Sequence, residues 1–537
     1  MVVDKSGVDI VTEAPTSYKH AEQYPCWVES MEKEVTTMEN MGCFEIIPLS
    51  EVPQHSQVIP VRFVFRVKRD IQGEHFEHKS RLVARGDMEV EEPEENNYAP
   101  TGNISVARTL LSLAARSSMH IWSFDVSSAF LTAPTSEERP PIIRPPPNRP
   151  RFINGVEVVY ICKRAIYGLR GSPLRFQQHL RGVLKRMGLE QSKWEPCLFI
   201  AQLGTGKFIA CFAHVDDILV ATPSQAISAS LKSAIQAEFN ITIQDPVVSF
   251  LNIRLFQSNG LMYMDQSHMI KDILRRSGMD KATPLNTIME VGVLKEPSAP
   301  LNPEAAAKYR QIVGAILYLQ CTRPDLAAAT SILCQFAQNP HLIHQRALEH
   351  VLRFLVGSKE HRLVLGRDEH STLVAMADSD WGGDFASNSG SGRSRTGFVV
   401  HLHGPIAWRS TLQKTVATST AEAELYALTE ATQEMIFLNG VLKDDFGKDI
   451  GIPRLYGDNQ SAIDMANKGK FTRSSRHINI KHRFLHNMVE EKSLVVTKIP
   501  GVSNMADILT KILPAPRTKT LTSSIMTWSG DECQVSQ

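Results

Sequence analysis

The residues best placed to do chemistry are two adjacent carboxylates, Asp216 and Asp217, with apolar, β-prone residues on both sides. A straight strand would point neighbouring side chains to opposite faces of a sheet. A tight hairpin turn at the pair would instead bring both carboxylates to one site. Two carboxylates at a strand tip, completed by a third, suit a hard divalent cation. The alternative is an Asp-rich turn whose side chains cap their own backbone.

Two further stretches favour the catalytic interpretation. Asp125 ends an apolar run and is followed by Val-Ser-Ser-Ala-Phe130-Leu, and residues 165–173 form a glycine-punctuated loop. In this order, the three stretches resemble the palm of a copia-like retrotransposon reverse transcriptase, which carries DV-x-x-AFL, YGL-x-x-x-P and VDD elements. The resemblance implies that Asp125, Asp216 and Asp217 hold two Mg²⁺ ions, for which Mn²⁺ can substitute.

The resemblance extends over residues 20–515, including 60–73 and 78–86, which are similar to the family's fingers hairpin. It implies a nucleotide site with triphosphate-binding cations, an aromatic ring beneath the sugar and a bordering loop: Lys68, Arg81, Phe130, Tyr167 and Gly168. Lysine would act as a point charge and arginine as a fork on phosphate oxygens. For Lys68 and Arg81, general contact with the template backbone remains the alternative. For Phe130, the alternative is a place in the hydrophobic core.

A second acidic series lies in the C-terminal third. Asp378 and Asp458 follow strand-like runs, and we expect Asp507 on a late helix. With Glu424, the series resembles ribonuclease H of the copia-like type. The resemblance implies that Asp378, Glu424, Asp458 and Asp507 act as ligands of two divalent cations spaced for phosphodiester hydrolysis, roughly 3.5–4 Å apart.

The glutamate of this series has to be chosen from two candidates, Glu422 and Glu424. Ser419-x-x-Glu422 is a capping box, which assigns Glu422 a structural role. Helical spacing places Glu424 on the face of Ala427 and Leu428, which we expect to be packed. The family context also selects Glu424. Asp380 is left open, as a support of the site or as the residue that sets the turn before Trp381.

A basic segment, 468–483, precedes Asp507, and the stretch 475–480 around His477 within it resembles a family segment near the substrate. The resemblance implies contacts with nucleic-acid phosphates from Arg473, Arg476, His477 and Lys481. A solvated charged face is the alternative.

Composition is that of an ordinary globular protein, with 42% hydrophobic and 21% charged residues among 537 and a net charge of +1. No apolar run approaches the roughly 18 residues needed to span a membrane, and the N-terminus lacks a signal-peptide pattern. Eight scattered cysteines without a C-x-x-C pair argue against a zinc knuckle or a disulfide framework. Near-neutral charge does not advertise nucleic-acid binding, but basic tracks such as 62–85 can bind a template locally.

The resemblance implies a multidomain α/β and α+β chain: a right-hand polymerase palm with fingers, a helical connection and a C-terminal ribonuclease H-like αβ domain. Helical patterns occupy 173–188, 225–239, 304–320 and 325–357. The predicted divisions are a disordered N-terminus at 1–20, fingers and palm at 21–283, a helical, thumb-like connection at 284–370, a ribonuclease H-like domain at 371–515 and a flexible tail at 516–537.

The resemblance implies an RNA-directed DNA polymerase with ribonuclease H activity. Its implied partners are an RNA template, a DNA primer, the RNA–DNA hybrid, deoxynucleoside triphosphates and other Gag or Pol products, in cytoplasmic virus-like particles and the nucleus. No protease or integrase motif is visible, so we expect a fragment of a larger polyprotein or a truncated genomic copy. His214, Gly171, Asn252 and Ser80 depart from the family pattern. The alternatives are therefore a degenerate copy that only binds nucleic acid, or one that retains hydrolysis alone.

Overall fold

The computed structural model describes the chain except for residues 1, 4–8, 11–13, 70–75, 91–96, 205, 291, 293, 295–296, 368–371, 384–389, 469–478 and 527–537. Within the described residues, no helix combines the length and the apolar character needed to cross a membrane.

The strands, in chain order, are β1 Val2–Val3, β2 Asp9–Ile10, β3 Phe44–Pro48, β4 Val58–Ile59, β5 Val61–Arg69, β6 Phe76–Ala84, β7 His120–Val126, β8 Ile142–Ile143, β9 Phe152–Ile153, β10 Val156–Cys162, β11 Glu190–Gln191, β12 Leu198–Gln202, β13 Phe208–His214, β14 Asp217–Thr222, β15 Ile241–Gln244, β16 Ser249–Phe250, β17 Ile253–Ser258, β18 Leu261–Asp265, β19 Leu363–Leu365, β20 Val374–Asp380, β21 Arg395–His401, β22 Pro405–Leu412, β23 Arg454–Gly457 and β24 Val495–Lys498.

The α-helices are α1 Tyr18–Ala21, α2 Pro25–Asn40, α3 Ile104–Arg116, α4 Ala129–Thr132, α5 Ser172–Arg186, α6 Gln225–Glu238, α7 Ser267–Ser277, α8 Pro303–Leu319, α9 Ala327–Gln335, α10 Leu342–Ser358, α11 Thr420–Gly440, α12 Gln460–Lys468, α13 Asn479–Glu490 and α14 Ala515–Ile525.

A six-stranded antiparallel sheet, ordered β11-β12-β13-β14-β7-β15, forms the centre of the N-terminal half. Its residues alternate between two buried faces, as the period of two in a strand requires. Phe212 and Leu219 pack with α3, whereas Cys211 and Val220 pack with α5 and α6. Because both faces are covered, its middle strands are apolar throughout, and a carboxylate can remain accessible only at the strand ends.

The fingers hairpin, β5 and β6, has one apolar and one charged face. Phe63 and Phe65 point toward α2, where Phe65 meets the Trp27 ring edge-on at 5.3 Å. The Ser30 hydroxyl ties the two elements together, since it donates to His78 O at 2.8 Å and accepts from Ser80 N at 2.9 Å. The opposite face carries Val64, Arg66, Lys68, Glu77, Lys79 and Arg81, paired across the hairpin. The hairpin therefore presents a basic surface away from its own core.

In its described part, the connection region contains the helices α8, α9 and α10, and its strand β19 extends a sheet formed by β16, β17 and β18 of the preceding segment. The helical pattern predicted for 325–357 is present but interrupted, because α9 ends at Gln335 and α10 begins at Leu342. Pro340 lies between them and lacks the N–H that would continue a helix.

The C-terminal sheet has the order β22-β21-β20-β23-β24, with α11 packed against β20 and β21. Strand β20 is antiparallel to β21 and parallel to β23. The carboxyl ends of β20 and β23 therefore lie at the same edge of the sheet, where both strands reach acidic residues.

One buried cluster runs across the predicted domain boundaries, from Val106 in α3 to Val496 in β24. Arg108, which is 3% exposed, bonds to Cys321 O at 2.8 Å and Ile406 O at 3.0 Å. Its guanidinium also lies 3.7 Å from the centre of the Trp408 ring. Burial lowers the pKa of Arg108 to about 10. The palm, the connection and the C-terminal sheet thus share one core.

Parts of both terminal segments, predicted to be disordered or flexible, form helices. Tyr18–Ala21 is helical, with Ala21 buried. Part of the predicted tail forms the helix Ala515–Ile525, whose Leu521 and Ile525 are buried with the connection helices. Apolar residues at these positions explain the packing. The remainder of the predicted tail, 527–537, lies outside the described residues, as do 1, 4–8 and 11–13 of the N-terminus.

Candidate active sites

The first candidate site lies at the edge of the palm sheet, where β7, β13 and β14 meet. Asp125 and Asp217 are directly paired Cα partners on neighbouring antiparallel strands. Side chains paired in this way project from the same face, only about 4.5–5.5 Å apart at Cβ. Asp216 lies in the turn after β13, where Val215 adopts φ of +60°. The backbone carbonyl of Asp216 accepts a hydrogen bond from Val126 N at 3.0 Å. The predicted hairpin at the Asp pair is therefore present.

Partial burial and the charge of neighbouring acids raise the pKa of two of these carboxylates, Asp217 and Asp125. Burial raises the pKa of Asp217 to about 6, opposed by the Leu251 backbone N–H, which donates to Oδ2 at 2.9 Å. The pKa of Asp125 is also raised, first by burial and then by the charge of Asp216. A divalent cation would relieve both effects by favouring the charged forms.

The palm carboxylates are not gathered into one tight set. In the described part of the chain, a single trio of metal-ligating side chains has all ligand atoms within 4.8 Å of one another, and that trio is not Asp125, Asp216 and Asp217. One oxygen of Asp217 is engaged by the Leu251 backbone N–H, which donates to Oδ2 at 2.9 Å. Bringing the three carboxylates together requires a cation to offset their repulsion.

The charged face of the fingers hairpin acts electrostatically on Asp125. Lys79, Lys68 and Arg81 each lower its pKa, against the larger effect of burial. Arg81 also lies over the Tyr167 ring, 4.8 Å from its centre, and its Nε is buried without a hydrogen-bond partner within the described residues. Lys68 is exposed and forms a loose ion pair with Glu77 at 3.6 Å. Both cations therefore remain available to an anionic ligand.

Two glycines join this hairpin to the palm loop. A Cβ on Gly86 would lie 2.0 Å from Gly168 O, and one on Gly168 would lie 2.2 Å from Ala84 O. Gly168 also has φ of +89°, which favours glycine. The Ala84 N–H donates to Tyr167 O at 2.8 Å. Backbone contact at this junction therefore sets the position of the fingers over the palm.

Phe130 stands between two aromatic rings beside the palm site. Its ring centre lies 5.2 Å from that of Tyr167 and 6.2 Å from that of Phe176. It is half-buried and lines a cavity of about 370 Å³ together with Val215, the residue before the Asp pair. Both earlier interpretations remain compatible with this position, since Phe130 packs against neighbours and also borders open space.

The second candidate site lies at the carboxyl edge of the C-terminal sheet. Asp378, Glu424 and Asp458 form the trio whose carboxylate oxygens lie within 4.8 Å of one another. Asp378 is near the end of β20, and Asp458 follows directly after the parallel strand β23. Glu424 projects from the first turns of α11, which packs on β20. Parallel pairing and helix packing thus bring together residues far apart in the chain.

Burial and the like charges of this trio raise the pKa of Glu424 strongly. Burial, followed by the charges of Asp378 and Asp458, raises the pKa of Glu424 to about 9. Burial also raises the pKa of Asp378. Three closely spaced carboxylates in a largely buried place fit a divalent cation, which would stabilise their ionised forms.

Glu422 is also buried, so the predicted difference in facing does not separate the two glutamates. Glu422 is 2% exposed and Glu424 6%. Their partners separate them instead. Glu422 accepts from Thr418 N and Thr418 Oγ1 at 2.7 Å and from the Tyr426 hydroxyl at 2.6 Å, while Ser419 caps the helix by accepting from Glu422 N. Glu422 is saturated by local hydrogen bonds, and Glu424 faces other carboxylates.

Asp507 does not join the trio. It lies on a short 3₁₀ helix, Met505–Leu509, rather than on the predicted α-helix. Its carboxylate accepts from Lys511 Nζ at 2.6 Å and from an Arg517 guanidinium N at 2.8 Å. Lys511 Nζ also lies 3.1 Å from Asp378. Asp507 is therefore connected to the trio through a lysine.

The remaining predictions have different outcomes. Asp380 is half-buried beside this site, and its pKa is raised by burial. Arg473, Arg476 and His477 lie outside the described residues. Lys481 is part of the helix Asn479–Glu490, but only its backbone belongs to the described structure.

The departures from the family pattern have different surroundings. Asn252 adopts φ of +53°, a region that asparagine tolerates. A Cβ on Gly171 would lie 3.1 Å from Asn97 Oδ1, so a side chain there requires Asn97 to shift. The Ser80 hydroxyl and the Nδ1 of His214 are buried without hydrogen-bond partners in the described structure.

Comparison with known proteins gives these sites a context. Residues 44–291, which contain the whole palm site, match the family described as reverse transcriptase (RNA-dependent DNA polymerase). The Pol polyprotein of transposon TNT 1-94 from Nicotiana tabacum is 28% identical over 503 residues, covering 91% of this chain and 37% of the relative. Over 91% of its length, this chain is thus similar to the Pol polyprotein of a copia-type retrotransposon, and residues 44–291 match the reverse transcriptase family.

Other comparisons extend over the same length. The Pol polyprotein of transposon RE1 from Arabidopsis thaliana is 29% identical over 502 residues, with 91% of this chain and 33% of the relative covered. This copia-like chain thus spans about a third of the length of these relatives. A foamy viral protease-reverse transcriptase, solved in complex with an RNA/DNA hybrid, aligns with a TM-score of 0.51 and 14% identity over 90% of this chain and 55% of its own. That likeness shows a reverse transcriptase fold.

Sequence reasoning about this copia-like Pol chain missed two groups of residues. Lys511 and Arg517 were not assigned to the second site, although the i,i+4 spacing of Asp507 and Lys511 was a visible signal. Gly86 is the last residue of the fingers stretch 78–86, and its contact with Gly168 joins fingers to palm. No local pattern marks such a backbone contact, because its partner lies far away in sequence.

Proposed function

We propose that this chain is an RNA-directed DNA polymerase that also hydrolyses the RNA strand of an RNA–DNA hybrid. The observation that carries the proposal is the cross-strand pairing of Asp125 and Asp217 beneath the basic face of the fingers hairpin. The reverse transcriptase family match over 44–291 supports the polymerase assignment. The carboxylate trio supports the hydrolytic assignment.

In the palm, Asp125, Asp216 and Asp217 would hold the divalent cations, of which Mg²⁺ is the expected one. Such ions activate an attacking oxygen and stabilise the leaving group during phosphoryl transfer. Lys68 and Arg81 would bind the triphosphate. Lys68 is held only by a loose ion pair at 3.6 Å, and the Nε of Arg81 has no hydrogen-bond partner in the described structure, so both can interact with phosphate oxygens near the carboxylates. The contact between Gly86 and Gly168 would keep these two side chains at a fixed distance from the palm carboxylates.

The nucleotide sugar would lie beside Phe130 and Tyr167, whose rings are in contact next to the palm site. An aromatic ring under the sugar leaves no space for a ribose 2′-hydroxyl, so ribonucleotides would be rejected by a clash. Gly168 has no side chain and would let the pocket border approach the nucleotide closely.

In the C-terminal site, Asp378, Glu424 and Asp458 would hold a divalent cation beside the scissile phosphate. We expect the A-form hybrid to be read through its backbone and 2′-hydroxyls. Arg473, Arg476, His477 and Lys481 remain proposed phosphate contacts. The similarity to copia-type Pol polyproteins suggests other Gag and Pol products as further partners. It also suggests cytoplasmic virus-like particles and the nucleus as the places of action.

Two assays on the purified chain test the proposal. Primer extension on an RNA template with deoxynucleoside triphosphates, and cleavage of a labelled RNA–DNA hybrid, are measured in Mg²⁺ and in Mn²⁺. Asp217→Asn removes a palm carboxylate worth several kcal/mol of transition-state stabilisation, so extension should fall at least about a hundredfold. Cleavage should persist, because the trio draws on other elements.

Asp272→Asn is the matched control, since Asp272 is a carboxylate on α7 paired with Arg275 and Arg276 at 2.9 and 2.8 Å. It should leave both activities close to those of the parent chain. Glu424→Gln should give the reverse of Asp217→Asn, with cleavage lost and extension retained. Absence of extension in the parent, with hybrid binding intact, would overturn the polymerase assignment. Loss of both activities in either variant, with the fold intact, would argue against two independent sites.

A further inference from the structure

A positive charge already stands within the C-terminal acidic site. Lys511 Nζ lies 3.1 Å from Asp378 and 2.6 Å from Asp507, so it bridges the trio and the fourth carboxylate. The carboxylate of Asp378 is 1% exposed, and the Lys511 side chain is 38% exposed. The ammonium group is therefore at the solvent side of a buried acid, where an incoming cation would have to pass or compete.

The charges around Lys511 leave room for one divalent cation. Arg517 pairs with Asp507 at 2.8 Å and offsets its charge. The three carboxylates of the trio, together with the Lys511 ammonium, then carry a formal charge of −2 when ionised. Asp380 beside the site faces the charge of Arg395 as well as that of Lys511, and with Asp380 counted against Arg395 one divalent cation neutralises this set. A second one would leave an excess of positive charge in a largely buried place, which is costly.

Lys511 is also held firmly. Its ion pair with Asp507 spans i,i+4, and Asp507 N is itself tied to Asn504 O at the start of the 3₁₀ helix. The neighbouring Thr510 hydroxyl donates to Asp378, which fixes that carboxylate from the same direction. Displacing the lysine would thus disturb both acids at once.

We propose that this site takes a single divalent cation on Asp378, Glu424 and Asp458, and that the Lys511 ammonium takes the place of a second one. The inference rests on the proposed hydrolytic function and departs from the two-cation expectation. Lys511 is a positioning residue here, because it acts by holding Asp378 and Asp507 and by excluding another cation.

The test counts bound Mn²⁺ in the full chain by isothermal titration calorimetry and electron paramagnetic resonance. An Asp125→Asn/Asp217→Asn background silences the palm site, so that only the C-terminal site contributes. Lys511→Gln removes the charge at similar length, and Lys511→Arg keeps it. Glu424→Gln removes a ligand of the trio. Circular dichroism checks that each variant is folded.

We expect one Mn²⁺ in the background and in Lys511→Arg, and two in Lys511→Gln, with the spectrum of a spin-coupled pair, since two-metal sites place their ions about 3.5–4 Å apart. Two ions in the background would overturn the inference by showing that the lysine is displaced. One ion in both the background and Lys511→Gln would also overturn it, while leaving the proposed hydrolytic site intact. No bound ion in the background would instead overturn the metal-dependent function itself. If Lys511→Gln does not fold, Lys511→Ala replaces it in the same comparison.

Discussion

Glu422 and Glu424 are two residues apart and both buried, yet their conversion to glutamine should change stability in opposite directions. Burial beside Asp378 and Asp458 raises the pKa of Glu424 from 4.5 to about 9. At pH 7 the folded chain therefore holds a protonated Glu424, whereas the unfolded chain holds an ionised one. Taking up that proton costs about 3 kcal/mol, from about 2.5 pH units at roughly 1.4 kcal/mol each.

Glutamine resembles the protonated acid and needs no proton, so Glu424→Gln should recover up to about 3 kcal/mol of folding free energy in the absence of metal. Glu422→Gln should destabilise the chain, because both carboxylate oxygens accept hydrogen bonds at 2.6–2.7 Å, whereas glutamine keeps one acceptor oxygen and its NH₂ cannot accept from the donors facing the other. Leaving such buried donors unpaired costs about 1–3 kcal/mol.

The sign of the pH dependence follows from the raised pKa. An acid whose pKa is higher in the folded chain supports folding fully at low pH, and this support is lost as the pH rises. The difference between the parent and Glu424→Gln should therefore vanish below pH 4.5 and grow toward a plateau above about pH 9.

The assay is thermal unfolding of parent, Glu424→Gln and Glu422→Gln, with chelator, at several pH values between 5 and 9. Because a multidomain chain need not unfold in two states, the sign of the midpoint change is the measured quantity. Mg²⁺ should raise the parent midpoint more than that of Glu424→Gln, as ligand binding to the folded state requires. A lower midpoint for Glu424→Gln at pH 8 without metal, comparable to that of Glu422→Gln, would refute the reasoning.

Three further predictions concern the polymerase site. Phe130→Val should raise the ratio of kcat/KM for ribonucleotides over deoxynucleotides; an unchanged ratio with stability lowered by a few kcal/mol would indicate a core role instead. Extension should fall as the pH drops through about 6, where Asp217 takes up a proton, and this midpoint should move to lower pH as Mg²⁺ is increased; a midpoint independent of Mg²⁺ would exclude Asp217 as the titrating ligand. Gly86→Ala should abolish extension and spare cleavage, because the added Cβ would lie 2.0 Å from Gly168 O. Gly182→Ala is the control and should preserve both activities, because its added Cβ would lie 3.9 Å from the nearest atom. Retained extension in Gly86→Ala would show that the backbone at this junction can shift.

Much of the local architecture was readable from the sequence. Apolar runs around Asp216 and Asp217 predicted a hairpin with the pair at its turn, and β13 and β14 form that hairpin. The helices predicted at 173–188 and 225–239 begin within a residue of α5 and α6. Such features follow from short-range rules, because hydrophobic period and turn chemistry act over a few residues. The family motifs likewise depend on contiguous residues.

Only the tertiary structure decided which charged groups meet. Asp378, Glu424 and Asp458 converge because β20 and β23 are parallel and α11 packs across them, a consequence of long-range packing. The pairing of Asp507 with Lys511 and Arg517, rather than with the trio, depends on the same arrangement. Helical spacing alone could not separate Glu422 from Glu424, since α11 is buried on several sides and only the neighbours distinguish them. Sequence thus determined the acidic residues and their local elements, and packing between distant segments determined their partners and ionisation.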